Sequence, residues 1–319
     1  MTRFLLLALG VGTMAACSSA GGSAAKTLVI YDAASLAAPM RALLDTFAHR
    51  NGVTIQEEHG ASLELARRVT DLHRVPDVIA LADREVFPEL LMPVAASWYA
   101  GFARNRMVVA YTRRSRGASR MSSGTWRTVL LEPGVLVGRT DPMLAPVGYR
   151  ALIVFRLAER FYRDPGLAER LKVATPATLM RGNAADLAAL LAAGELDYII
   201  DYESLARAQH FQYVTLPPEI DLGDPGLATA YAAESVSLVI KRGGVADSSA
   251  AHRTVVHVGA PIVYGVSVPR AAPHRAIGEA FVKFLLSAEG RAMLRTANVD
   301  ALDTPVVAGD SAPPSLRAP

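Results

Sequence analysis

Strand-like and helix-like segments alternate along most of this 319-residue chain, and that alternation limits the possible folds more than any other feature. The apolar run at 26–31 is followed by helical spacing over 37–51. A second strand-like run at 53–57 is followed by helical spacing over 63–72. Strands that are connected through helices pair in parallel, and the helices cover the faces of the sheet. The sequence therefore predicts an α/β fold.

A second block of the same kind begins at the strand-like segment 106–112. The segments at 236–240 and 262–268 are interpreted as strands that return to the first block, and a long helix over 274–296 closes it. We therefore predict two lobes, each a mainly parallel sheet flanked by helices, with the ligand in the cleft between them. The predicted boundaries are residues 26–102 plus 233–300 for lobe 1 and residues 103–232 for lobe 2.

Both ends of the chain lie outside these lobes. Residues 301–319 are rich in proline and alanine, lack periodicity and are predicted to be a disordered tail. At the other end, Arg3 and a short apolar run precede Met14-Ala15-Ala16-Cys17, which contains the only cysteine of the chain. A basic start, an apolar stretch and small residues before a cleavage site are typical of an export signal.

The position of Cys17 predicts lipid attachment, because a sole cysteine at the cleavage site forms a lipobox. We expect a signal peptide at 1–16, a lipidated Cys17 and a lipid-anchored linker at 17–25, so that the protein lies outside the cytoplasmic membrane and is held there by lipid. In a cell with two membranes, this location is the periplasmic side of the membrane. A chance cysteine in an irregular N-terminus is the alternative.

Composition and motifs exclude several classes of function. The net charge is only +3, and no basic run with interleaved aromatic residues indicates a nucleic acid partner. No Gly-x-Ser-x-Gly, His-Glu-x-x-His or phosphate-binding loop occurs, and the seven histidines show no metal-ligand spacing. We therefore expect a monomeric binding protein without a cofactor, rather than an enzyme.

Small residues recur where a predicted strand gives way to a helix. Ser35 and Ser62 stand at the first two helix starts, and Val147 and Ala184 stand at two helix starts in the second block. Free N–H groups and the positive end of the helix dipole favour an anion at such places. Ordinary N-capping is the alternative for each one taken singly. Together they predict a site that holds an oxyanion through neutral donors.

Several stretches carry a resemblance to a known family: 33–36, 102–112, 141–150, 194–206, 216–222 and 261–265. With them the chain resembles the substrate-binding lipoproteins of ABC importers for molybdate and tungstate, over about residues 26–297. The resemblance implies a two-lobed periplasmic-binding-protein-like fold that closes over its anion by a hinge motion and delivers it to an ABC permease.

The resemblance also implies a set of ligand contacts. These are Ser35, Ser62, the N–H of Val147 and the N–H of Ala184, together with Asp201, where the family usually has glutamate. A carboxylate facing a dianion is repulsive in a dry cleft. Asp201 is therefore expected either to coordinate the molybdenum or tungsten atom itself or to accept a hydrogen bond from a protonated anion.

One position departs from the family pattern. The group that handles both anions commonly has a second carboxylate just before the proline of the Pro-x-Gly-Tyr-Arg turn, and Ala145 stands there instead. Asp141, four residues earlier, is expected to cap a turn or else to substitute as a ligand. The loss leaves open a phosphate or sulfate binder of the same architecture. An exported enzyme using Asp141, Asp201 and His210 is a third, weaker alternative.

Overall fold

The computed structural model describes residues 26–241 and 252–316, so the predicted signal peptide, Cys17 and linker lie outside the described residues. The first part of the chain contains β1 (Lys26–Ala33), α1 (Ala37–Asn51), β2 (Val53–Gly60), α2 (Ser62–Thr70), β3 (Val78–Leu81) and β4 (Tyr99–Arg104). Helix α1 is amphipathic: Met40, Leu43, Leu44 and Phe47 are buried at helical spacing. This apolar stripe packs α1 onto the sheet.

The middle of the chain forms the second lobe. It contains β5 (Met107–Tyr111), α3 (Trp126–Leu130), β6 (Val137–Thr140), α4 (Pro146–Tyr162), α5 (Leu167–Ala174), β7 (Met180–Arg181), α6 (Ala184–Ala193), β8 (Tyr198–Tyr202), α7 (Glu203–Ala208), β9 (Gln212–Thr215) and α8 (Ala228–Tyr231). The last part contains β10 (Ser235–Lys241), β11 (His252–Val258), β12 (Val263–Ser267), α9 (Arg275–Leu286), α10 (Ala288–Thr296) and β13 (Asp300–Ala308).

Two mixed sheets form the lobes. The strand order in lobe 1 is β13-β4-β12-β3-β1-β2, and in lobe 2 it is β7-β6-β8-β5-β9. β1 pairs in parallel with β2 and β3, and β6 pairs in parallel with β7 and β8, as the alternation predicts. β12, β13 and β5 run antiparallel to their neighbours. The two-lobed α/β architecture is confirmed, with reversed strands where the chain leaves and re-enters lobe 1.

The chain crosses between the lobes immediately after β4, at Asn105 and Arg106. The returning chain lies beside this crossing. Asn105 donates its N–H to the carbonyl of Ile262 (3.2 Å), and Ile262 donates to that of Leu222 (2.8 Å). These bonds tie the outgoing and returning segments together, which gives the lobes a common hinge.

Three predictions about the last part of the chain are wrong in detail. The disordered tail was predicted to begin at 301, but β13 pairs with β4 and so extends the ordered chain through Ala308. The single helix over 274–296 is two helices, because Ser287 ends α9 and its hydroxyl accepts the N–H of Gly290 to cap α10.

The third error concerns the strand predicted at 236–240. It does not return to the sheet of lobe 1, because β10 pairs antiparallel with β11 in a separate ribbon. Val236 and Leu238 alternate along β10 and pack against the core. Each strand of this ribbon bonds its inward-facing N–H and C=O groups to the other strand, so the pair forms without joining a larger sheet. In the described part of the chain, no helix is both long enough and apolar enough to cross a membrane.

Candidate functional site

Strand ends and helix starts from both lobes meet around one small cavity. Its lining residues are Ala33, Ala34, Ser35, Gly60, Ala61, Ser62, Ala82, Ala145, Pro146, Val147, Asn183, Ala184 and Tyr202. The four helix starts singled out in the sequence therefore lie together, two from each lobe. This place, beyond the carboxyl ends of strands, is where α/β proteins bind small ligands.

The size of the cavity limits what it can hold. Its volume is about 20 Å³, on the order of the space that one water molecule needs. Sugars, peptides and nucleotides are far too large for it. Even a tetrahedral oxyanion, with its four oxygens, is larger than one water molecule, so the walls have to move apart slightly to admit it.

Both serine hydroxyls have their oxygens engaged and their hydrogens available. Ser62 Oγ accepts the N–H of Ala82 at 3.0 Å, and Ser35 Oγ accepts the hydroxyl of Tyr264 at 3.4 Å. Neither serine caps its helix with its side chain. A hydroxyl whose oxygen already accepts a hydrogen bond can donate its own hydrogen elsewhere, so both can serve as donors towards the cavity.

The second lobe contributes backbone N–H groups. Val147 is the second residue of α4 and Ala184 is the first of α6. At these positions an N–H has no partner inside its own helix. None of the lining residues in the described chain bears a charged side chain. The site can therefore bind an anion only through neutral donors and helix dipoles.

Close packing fixes the start of α4. A Cβ atom at Gly148 would lie 2.5 Å from the carbonyl oxygen of Thr140, at the end of β6. Only glycine permits this approach. Val147 is held against the end of the sheet for that reason. Asn183 does act as an ordinary cap, since its Oδ1 accepts the N–H of Asp186 at 3.0 Å.

Asp201 does not line the cavity, although Tyr202 beside it does. Its side chain is fully buried, and Oδ1 accepts the N–H of Tyr202 at 2.7 Å. Oδ2 has no hydrogen-bond partner among the described residues. Burial raises the pKa of Asp201 to about 7. A buried carboxyl group with one unsatisfied oxygen thus stands next to the site.

Asp141 and His210 lie apart from the cavity lining. Asp141 Oδ1 accepts the N–H of Met143 at 2.8 Å, so it caps the turn before α4. His210 is exposed after α7. Ala145 lines the cavity, and none of its lining residues in the described chain has a carboxylate side chain.

A buried ion pair joins the lobes beside the site. Asp83 Oδ2 lies 2.7 Å from Arg150 Nη2, and it also accepts the hydroxyl of Tyr149. Arg150 Nη1 donates to the hydroxyl of Tyr202 at 3.1 Å. Nearby, Leu63 in α2 donates its N–H across the cleft to the carbonyl of Leu144 at 3.2 Å. These contacts hold the lobes closed.

A second buried network connects the hinge to Ser35. Asn105 Nδ2 donates to the hydroxyls of Ser204 and Tyr264, each at 2.7 Å. Tyr264 in turn contacts Ser35. Sequence reasoning found Asn105, Ser204 and Tyr264 only as members of the matching stretches and assigned them no role, since their contacts form between distant segments.

The chain is similar to several known proteins in sequence and in fold. Residues 28–297 match the family model for bacterial extracellular solute-binding proteins. An uncharacterized solute-binding protein of Petrotoga mobilis is 35% identical, over 95% of this chain and 91% of its own. The molybdate/tungstate-binding protein WtpA of Thermococcus kodakarensis is 32% identical, over 97% and 93%. The periplasmic molybdate-binding protein of Azotobacter vinelandii shares the fold, with a TM-score of 0.59 at 15% identity over 85% of this chain and 98% of its own.

Proposed function

Because this chain belongs to the family of bacterial extracellular solute-binding proteins, we propose that it binds molybdate or tungstate outside the cytoplasmic membrane and delivers the anion to an ABC permease. The observation that carries the proposal is the meeting of four helix starts around one small cavity with neutral walls. Ser35 and Ser62 supply hydroxyl donors, and Val147 and Ala184 supply N–H donors. The similarity to the WtpA protein supports the choice of anion.

Asp201 is assigned the selective role. Its unsatisfied Oδ2 and its place beside Tyr202 support a carboxylate that turns to the ligand when the anion enters. Molybdenum and tungsten can accept an additional oxygen ligand, whereas sulfur in sulfate cannot. The same carboxylate would repel sulfate, so it would separate the anions by repulsion as well as by attraction.

Sulfate or phosphate is the second candidate, and the position of Ala145 favours it. With alanine at this wall, no carboxylate lines the cavity in the described chain. Neutral donors alone accommodate any small tetrahedral dianion. The distinction therefore rests on whether Asp201 reaches the ligand.

Calorimetric titration with molybdate, tungstate, sulfate and phosphate tests the proposal. We expect the two metal oxyanions to bind far more tightly than sulfate. Affinity no tighter than about millimolar for both would end the molybdate or tungstate assignment. Phosphate binding that follows the protonation of the anion as pH changes would favour the second candidate.

Asp201→Asn tests the selective role within this assignment. The variant should weaken molybdate and tungstate binding and spare or improve sulfate binding. Asp221→Asn is the matched control, because Asp221 is also a buried aspartate whose pKa is raised by burial, to about 6, and it does not line the cavity. Equal selectivity in the two variants would show that Asp201 does not contact the anion.

We also propose that the protein is anchored by lipid at Cys17 and that it transports rather than transforms its ligand. Labelling of host cells with a fatty acid analogue should modify the wild-type chain and leave Cys17→Ser unlabelled. Label retained by Cys17→Ser would contradict the anchor.

A further inference from the structure

Strand pairing in lobe 1 brings Asp32 next to Glu57 and His59, which are far from it in sequence. Asp32 in β1 lies directly opposite His59 in β2. Glu57 is two residues before His59, so it projects from the same face of the sheet. An imidazole and two carboxylates thus share one face at this edge of lobe 1, since β2 is the edge strand.

These three groups are close enough to share one ion. His59 Nδ1 contacts Asp32 Oδ1, and His59 Nε2 lies 3.4 Å from Glu57 Oε2. One ligand atom from each residue lies within 4.8 Å of the others. Zinc binds imidazole nitrogen and carboxylate oxygen at about 2.0–2.2 Å. The two ring nitrogens of His59 face different carboxylates, and only one nitrogen binds an ion, so the imidazole gives up one of these contacts and turns when all three residues coordinate.

The burial of Asp32 points to a missing partner. Its side chain is 0% exposed, and Oδ2 has no hydrogen-bond partner among the described residues. A buried carboxylate oxygen without a partner is costly, and an ion is one of the groups that can satisfy it. The side chains of His59 and Glu57 are 38% and 25% exposed, which leaves an entry path from solvent.

We propose that Asp32, Glu57 and His59 form a binding site for a divalent transition-metal cation such as Zn²⁺. Three protein ligands of this kind leave a further coordination position for water. The site is separate from the anion cavity and does not depend on which anion is bound. Asp32 directly precedes Ala33 and His59 directly precedes Gly60, so a bound cation would cross-link the two strand ends from which the lobe 1 anion turns begin.

Zinc titration tests the site. The whole chain is purified in detergent without a polyhistidine tag, stripped with a chelator and titrated with ZnCl₂ by calorimetry in the absence of oxyanion. We expect one zinc per chain. His59→Ala should weaken zinc binding by at least about tenfold, the lower end of what even outer-shell changes cost a metal site.

Two further variants make the result specific. His49→Ala removes an exposed histidine from α1 and should leave the zinc affinity unchanged. Glu57→Gln keeps the size of the side chain, removes a charged ligand and should weaken zinc binding even if His59→Ala fails to fold, as checked by circular dichroism. No stoichiometric zinc in the wild-type chain, or equal affinity in the wild type and Glu57→Gln, would overturn the site. Neither outcome bears on molybdate binding, which is measured separately.

Discussion

The carboxylate of Asp83 and the guanidinium of Arg150 lie 2.7 Å apart, and each side chain is only 3% exposed. Asp83 follows β3 in lobe 1, and Arg150 lies in α4 of lobe 2. A contact this deeply buried must form when the lobes close and must be exposed when they separate. The pair therefore couples the stability of the protein to closure of the cleft.

Removal of one partner should be strongly destabilising. Asp83→Ala leaves Arg150 buried without a counter-charge, and breaking such a pair typically costs about 3–5 kcal/mol. Urea unfolding measures the change in the free energy of unfolding. Asp164→Ala is the control, because it breaks the solvent-accessible pair between Arg170 and Asp164; its effect should stay below about 1 kcal/mol. Similar losses in both variants would show that the lobes do not depend on Asp83.

Ala184→Pro tests a backbone donor directly. Proline removes the N–H of Ala184, and the first helical position tolerates proline well. Asn183 already has the extended conformation that precedes proline. We expect oxyanion affinity to fall by at least about tenfold, on the scale of a hydrogen bond to a charged group, with little change in stability. Calorimetry and thermal unfolding together measure both.

Ala288→Pro is the matched control for this prediction. Ala288 is the exposed first residue of α10, and Ser287 before it is also extended. Its anion affinity should equal that of the wild type. Unchanged affinity in Ala184→Pro as well would remove the Ala184 N–H from the site.

Tyr264→Phe should disturb the site through the hinge network. The change removes the hydroxyl that donates to Ser35 and accepts from Asn105. Asn105 Nδ2 then loses a partner, which costs about 1–3 kcal/mol of stability, and Ser35 loses the contact that orients it. We expect weaker anion binding in calorimetry and a lower urea midpoint. Tyr213→Phe, which removes a hydroxyl that donates to Glu203, should preserve anion affinity.

The raised pKa of the buried Asp201 predicts that the stability of the folded protein depends on pH. The folded pKa of Asp201, about 7, lies above its ordinary value of 3.8 because burial disfavours the charged form. The folded state therefore binds more protons than the unfolded state between these values. Stability is highest below about pH 4 with respect to this group and declines as pH rises to about 7.

Asp201→Asn should remove the part of this decline in folding stability that is due to ionisation of Asp201. Relative to wild type, the variant should gain stability between pH 5 and pH 8, measured as the free energy of unfolding without ligand. Asp45→Asn, at an exposed position on α1, should keep the wild-type slope. A parallel slope in Asp201→Asn would mean that Asp201 is ionised in the folded protein throughout this range.

Local sequence signals predicted much of the fold. The apolar spacing of α1 and the strand-like runs of β1 and β2 were sufficient, because each is decided by the burial of one face. Ser35 and Ser62 in lobe 1, and Val147 and Ala184 in lobe 2, were expected to lie together pairwise because helix starts after strands meet at one edge of a sheet. The meeting of the two pairs across the cleft was expected only from the family resemblance.

Pairing between strands that are distant in sequence could not be predicted from these local signals. Nothing local distinguishes a strand that joins a sheet, such as β12, from one that forms a separate ribbon, such as β10. The proximity of Asp32 and His59 depends on strand register across 27 residues, so the scattered histidines gave no metal-ligand spacing. Asp83 and Arg150 likewise meet only when the two lobes close.

A binding site whose donors are partly main-chain N–H groups responds to substitution differently from a site built of side chains. Any residue except proline presents the same N–H at positions 147 and 184, so exchanges among small apolar side chains there, which fit these buried positions, need not remove the donors. Relatives with the same cargo can therefore differ at these positions. Gly148 is different, because only glycine lets the main chain approach the end of β6 so closely. A single substitution there should displace the start of α4 and with it the Val147 N–H.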